Sequence, residues 1–204
     1  DDRRADFCEI ELELKSGEPH ALFELTRELD ALVSLRLGVM TKSERGYRLL
    51  DAVAESAKAG SIALSADLSV EDGFAAIASA CIRQYRINED ILLRRRSPDA
   101  LHQARVGLRR LRSALTLFKP VVADDRHTHF GDELKWLAAE LGDARDLDVL
   151  YDRARSNELR IAIARLRESA YGALEDTLGS ARARALMIDL AEWIAVGAWR
   201  DAED

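Results

Sequence analysis

A chain of 204 residues, 48% hydrophobic and with only three prolines and eleven glycines, can bury a sizeable core. Alanine, leucine, arginine and glutamate dominate it, which excludes global disorder and an all-β recipe. Thirty basic and 37 acidic residues give a net charge of −7, so the chain as a whole is no indiscriminate polyanion binder. No stretch reaches the roughly 18 to 20 apolar residues of a membrane span, the first residues lack a signal-peptide core, and Cys8 and Cys81 make no disulfide framework; a reduced, cytoplasmic protein off the membrane is expected.

In chain order, residues 7–15 alternate apolar and charged side chains with period two. Ile10, Leu12 and Leu14 fall on one face, and Glu9, Glu11, Glu13 and Lys15 on the other, which predicts a β-strand. Turn residues around Gly17 end it. Leu22, Leu25, Leu29 and Leu32 then predict a helix over 19–32. One strand and one helix make no independent sheet, so this segment reads as a remnant or an edge needing a partner. Residues 33–68 are weakly patterned, with Lys42, Arg45 and Arg48 around Gly46, and predict a connector with one helix over about 49–59.

Ser69 is an N-cap for a helix whose stripe is Phe74, Ile77, Cys81 and Tyr85, ending near Arg94. Ser97 caps the next, with Pro98 in its first turn, Asp99 on its dipole and Pro120 as its stop. Three more helices follow, at about 130–155, 158–178 and 181–196, broken at Gly179-Ser180. His127 and His129 fall in a predicted loop, where two histidines alone make no metal site.

Charge is concentrated locally. Between Arg83 and Lys119 ten basic residues face only Glu89, Asp90 and Asp99, so this stretch is net +7 and the remainder −14. On a wheel of 100° per residue with His102 at 0°, Arg109 falls at about 340°, Arg105 at about 300°, Arg112 at about 280° and Arg110 at about 80°. Leu101, Ala104, Leu108, Leu111, Leu115 and Phe118 occupy the face between about 160° and 260°. The helix therefore sets a leucine stripe against a row of His102, Arg105, Arg109 and Arg112 about one turn apart, without the acidic i+4 partners that neutralise an ordinary arginine face. Guanidiniums about 5 Å apart suit a linear run of phosphates, because each offers a planar, permanently charged fork of donors. Downstream, residues 141–150 interleave Asp143, Asp146 and Asp148 around Arg145. They read either as a salt-bridged face or as carboxylates that orient basic side chains; Lys135 lies near the face of Arg145. Phosphate-binding glycine loops, paired CxxC and HExxH motifs are absent.

Residues 101–115, Leu-His-Gln-Ala-Arg-Val-Gly-Leu-Arg-Arg-Leu-Arg-Ser-Ala-Leu, closely resemble the signature of CHAD domains, helical modules named for their histidines. Residues 141–150, Leu-Gly-Asp-Ala-Arg-Asp-Leu-Asp-Val-Leu, resemble that family's second hallmark, and the similarity extends over 69–204. Residues 8–17, with 35–37 and 42–47, resemble the end of a CYTH triphosphatase domain, a domain commonly fused ahead of CHAD. The resemblance implies a mainly α, antiparallel helical bundle with a short strand and helix remnant in front. Its parts would be a CYTH remnant at 1–48, a linker at 49–68 and the N-terminal half of a CHAD domain at 69–204.

It further implies a basic channel for inorganic polyphosphate, lined by His102, Arg105, Arg109, Arg110 and Arg112, with Lys119 and Arg145 beside them. No specific nucleic acid, no membrane and no cofactor is implied for this part. A second histidine–arginine helix, expected in a complete CHAD domain, has no counterpart here, nor has the opening strand of a complete CYTH domain. The chain is therefore expected to be a fragment across the junction, or the ordered part of a longer protein, with a homo-oligomer as the way in which a second copy would supply the missing half-bundle.

Two other functions compete with binding. A CYTH–CHAD parent would be a metal-dependent inorganic triphosphatase using Mg or Mn, for which Glu9, Glu11 and Glu13 match late-strand carboxylates. One strand closes no tunnel, so this chain is expected to have no catalytic residue. The third reading is a helical assembly module whose basic face meets an acidic protein.

Overall fold

The computed structural model describes residues 6–50 and 55–200 and is 73% helical. Its helices are α1 (His20–Leu32), α2 (Lys42–Leu50), α3 (Val70–Arg94), α4 (Pro98–Leu117), α5 (Lys119–Val122), α6 (His127–Arg153), α7 (Asn157–Gly179) and α8 (Ala181–Val196), followed by a 3-10 turn at Ala198–Arg200. None is long and apolar enough to cross a membrane among the described residues.

Serine caps set the boundaries. Ser69, Ser97, Ser156 and Ser180 accept from the backbone N–H groups of Asp72, Ala100, Leu159 and Ala183, at the starts of α3, α4, α7 and α8. Pro120 does stop α4, although it sits in the first turn of the short α5, where its missing N–H costs nothing. α3, α4, α6 and α7 close a ring, each packing on the next and α7 returning to α3, while α8 lies against α3, α6 and α7. Contacts between successive helices run in opposite directions: Gln84 meets Gln103 and Cys81 meets Gly107, Arg105 meets Ala138 and Leu115 meets His127, and Asp148 meets Arg167 and Glu140 meets Thr177, so these neighbours are antiparallel.

The core contains the predicted stripes. Phe74, Cys81 and Tyr85 of α3 are buried, as are Leu101, Ala104, Leu108, Leu111 and Leu115 of α4. At one end Phe74, Phe130, Trp193 and Trp199 form an aromatic cluster with ring centroids 5.0–5.8 Å apart, worth more than its area because edge and face charges match. Trp193 Nε1 donates to Asp124 Oδ2 at 2.7 Å, satisfying its polar end. Gly107 lets α4 approach α3: a Cβ there would lie 3.1 Å from the Tyr85 nitrogen and 3.2 Å from the Cys81 carbonyl oxygen.

Three expectations fail. Residues 7–15 form no strand and pair with none among the described residues. Without a neighbour their backbone groups have no ladder to join, and side chains tether them instead: Lys42 Nζ lies 2.9 Å from Glu11 Oε1 and Arg45 stacks over Phe7. The helix expected over 49–59 is displaced to α2, whose start is a Thr41–Glu44 capping box. Thr41 N–H donates to Glu44 Oε2, and Glu44 N–H to Thr41 Oγ1. Residues 51–54 lie outside the described residues, and residues 55–57 run over the bundle, where Asn88 donates to Ala57 O and accepts from Ala57 N–H. His127 and His129 lie in the first turn of α6, whose start is organised by Asp124 Oδ1 accepting from the Arg126 and His127 N–H groups.

α1 attaches by charge, since it has no buried residue. Arg27 pairs with Asp189 and Glu192, His20 Nδ1 lies 3.0 Å from Glu192 Oε1, and Arg184 Nε donates to Asp30 Oδ1 at 2.7 Å. Burial works to raise the Glu192 pKa, but the Arg27 and His20 hydrogen bonds and the Arg27 and Arg126 charges outweigh it and hold the carboxyl below its usual range. Asp30 is lowered in the same way, mainly by Arg184. Depressed folded-state values mean the stabilisation is present above the ordinary carboxylate range and lost as pH falls through the lower folded values. Protection of α1 amides in hydrogen exchange, corrected for intrinsic rates, should therefore fall below pH about 4 before that of the ring helices. Loss of both together would contradict the ionic attachment.

Asp148 has the opposite character, with 1% exposure inside the ring. It accepts from Arg167 Nε at 2.9 Å and Nη2 at 2.6 Å, and from Tyr171 OH at 2.8 Å, joining α6 to α7. Removing it leaves a guanidinium and a phenol unpaired. In urea unfolding Asp148→Ala should cost about 2–4 kcal/mol, against about 0.5 kcal/mol or less for the exposed Asp146→Ala. Equal costs would remove Asp148 from this role.

Candidate anion-binding face

Burying the leucine stripe of α4 turns the basic residues outward. His102, Arg109 and Arg112 are exposed, while Arg105 and Arg110 are half-buried on opposite flanks. Arg105 crosses to α6, where Nη1 donates to Ala138 O at 3.1 Å. Gly142 makes room for it, because a Cβ there would lie 2.9 Å from that nitrogen. Arg110 leans the other way, donating from Nη1 to Gln84 Oε1 at 2.8 Å; Gln84 Nε2 in turn donates to Gln103 Oε1 at 3.0 Å.

The row is therefore His102, Arg105, Arg109 and Arg112, with Arg110 displaced towards α3. Lys119 opens α5 beyond the end of the row. On α6, Arg145 and Lys135 share a helical face with Ala138 and Gly142, the residues that meet Arg105, so both flank the row. Gln84, Gln103 and Gly142 are supporting residues that a motif reading passes over. Only the glycine inside a helix gives a sequence signal, and its meaning depends on the facing guanidinium.

Many arginines elsewhere are neutralised, although Arg153, Arg155, Arg160 and Arg165 also meet no carboxylate among the described residues; what distinguishes this face is four unneutralised arginines beside His102 on a single helix. Arg27, Arg83, Arg86, Arg96, Arg126, Arg167, Arg182, Arg184 and Arg200 each meet a carboxylate. No arginine of α4 does so among the described residues; Arg105 and Arg110 meet only neutral acceptors. Four guanidiniums on one 20-residue helix thus keep their full charge and most of their donors.

The carboxylates at the N-terminus do not make a comparable site. Glu9, Glu11 and Glu13 are exposed on the N-terminal segment, Glu11 pairs with Lys42, and Glu13 lies 2.7 Å from Lys15 Nζ. Among the described residues no three His, Cys, Asp or Glu side chains gather closely enough to hold a metal ion. These residues do not fit a magnesium or manganese centre. His127, whose Nε2 lies 3.2 Å from Leu115 O, is engaged in helix packing.

The family model for the CHAD domain matches residues 76–204. Among solved structures, the crystal structure of the CHAD domain from the plant Ricinus communis is similar, with a TM-score of 0.65 and 33% sequence identity over 72% of this chain and 53% of that one. The chain thus spans about half the length of that relative. The basic helix and the Asp148-bearing second motif lie within the matched region, as does all of the ring except the first six residues of α3, and the chain belongs to the CHAD domain family.

Proposed function

We propose that this chain binds linear inorganic polyphosphate along α4. His102, Arg105, Arg109 and Arg112 form the row, Arg145 and Lys135 flank it from α6, and Arg110 and Lys119 lie at its margins. The observation that carries this reading is that α4 sets four arginines and His102 on one helix with no carboxylate partner among the described residues, Arg105 and Arg110 being held only by neutral acceptors.

Side chains three or four residues apart on a helix rise by about 4.5 to 6 Å, so successive guanidiniums can fork onto successive phosphates of one strand. Helix α4 carries no Phe, Tyr or Trp on which a base could stack, His102 being its one aromatic ring, which favours a bare phosphate chain over nucleic acid. The acidic remainder of the molecule limits other polyanion contacts. The reading is of a binding module with no catalytic residue in this chain. A CYTH-like origin for residues 1–48 and a longer or homo-oligomeric parent that completes the channel belong to the same proposal, as does a reducing cytoplasmic setting, which suits the free thiols of Cys8 and Cys81.

Binding should weaken with salt, because condensed counterions are released. By analogy with nucleic acids, four to five contacts imply a log–log slope of roughly −3 to −5. Arg109→Ala should cost about 1.5–3 kcal/mol, and Arg109→Lys should recover only part of it, since an ammonium makes no fork. Arg165→Ala, exposed on α7 and outside the row, should change little. Measured by calorimetry on this chain and on any longer parent, equal losses at Arg109 and Arg165 would assign binding to diffuse charge and remove the row.

A further inference from the structure

The displacement of Arg110 leaves a feature that the phosphate row does not use. Between α3 and α4 lies an open groove of about 280 Å³, walled by Ile77, Cys81, Leu117 and Phe118, with Arg109 and Arg110 at its lip. Cys81 forms its buried floor at 1% exposure, and Leu117 stands 75% exposed at its rim. Arg110 is held in place by a neutral partner: Gln84, only 3% exposed, accepts from it and is itself fixed by Gln103.

A buried amide that orients a guanidinium leaves its charge intact, whereas a carboxylate in that position would cancel it. The charge reaches the groove floor, since burial pushes the Cys81 thiol up and Arg110 opposes that rise. An apolar groove with two uncompensated cations at one edge has the make-up of a small-ligand site, mostly apolar with a few placed polar groups, just below the usual size range.

We propose that this groove binds a small organic anion with an apolar body, its carboxylate or equivalent acid group on Arg110 and Arg109 and its chain or ring on Ile77, Leu117 and Phe118. At roughly 30 Å³ for a water-sized unit, the volume suits a body of about six to ten heavy atoms. Charge complementarity selects an anion over a neutral amphiphile, and the size selects a single small molecule over a helix. Arg109 belongs both to this lip and to the α4 row, so occupants of the two sites compete for one guanidinium. The groove does not depend on the phosphate reading, because Arg110, Gln84 and the apolar walls lie outside the exposed row.

Octanoate titrated calorimetrically into the whole chain tests this. One-to-one, saturable binding is expected, weakened at least tenfold by Arg110→Gln and by Ile77→Trp, which fills the groove. Neutral octanol should bind far less well. Polyphosphate should compete with octanoate in the unaltered chain. Arg105→Gln should weaken polyphosphate binding while leaving octanoate affinity within about twofold, so failure of one site is read separately from failure of the other. If thermal melting shows that Ile77→Trp does not fold, Leu117→Asp takes its place, setting a carboxylate on an already exposed rim. Absence of saturable octanoate binding would overturn the proposal, as would affinity unchanged in Arg110→Gln or octanol binding as tightly as octanoate. Conversion of a dimer to monomers by octanoate would also overturn it, by making the groove a contact between copies of this chain.

Discussion

Burial of one side of α4 is the constraint on which the rest depends. Leu101, Ala104, Leu108, Leu111 and Leu115 are each at most 3% exposed, fixed between α3 on one flank and α6 on the other. At about 25 cal/mol per Å² of apolar surface, such a stripe outweighs any preference of individual arginines, so the helix cannot rotate to neutralise them. The polar residues of α4 are thereby held where the leucines put them. Gly107, against the α3 backbone, and Gly142, beneath Arg105, are the small residues that let the two flanks close on this helix.

The same economy explains where charge is cancelled and where it is kept. Carboxylates serve as ties elsewhere: Glu192 and Asp189 hold α1 on α8, Glu168 and Glu175 hold Arg96, and Asp148 joins α6 to α7. Those arginines are structural. On α4 the partners are a backbone carbonyl for Arg105 and an amide for Arg110, groups that orient a guanidinium without neutralising it. An orienting but uncharged support is what an anion site requires, because the ligand then supplies the missing negative charge.

Local signals were legible in the sequence, and features made by neighbours were not. Ser69 and Ser97 cap their own helices through contacts three residues away, so those starts are readable without a fold. The wheel of α4 separates leucines from arginines because periodicity alone decides it. Residues 7–15 mislead for a related reason: alternation marks a segment able to pair, while a strand exists only where another chain segment answers it. The wheel places Arg110 well apart from Arg105, yet only packing reveals that one meets Gln84 and the other Ala138. In the second motif Asp148 continues the buried stripe of Leu134, Leu137, Leu141 and Ala144 while Asp146 lies off it, so the wheel separates the two; only packing shows that Asp148 meets Arg167 and Tyr171.

The claim that uncompensated guanidiniums on α4 form one site is tested most directly by watching individual arginine side chains. In 1H–15N spectra of the Nε–Hε groups, a polyphosphate titration should shift Arg105, Arg109 and Arg112 together, saturating along one curve. The paired groups of Arg27, Arg96 and Arg182 should stay in place. Comparable shifts at Arg165 and other exposed arginines, or none on α4, would contradict the account.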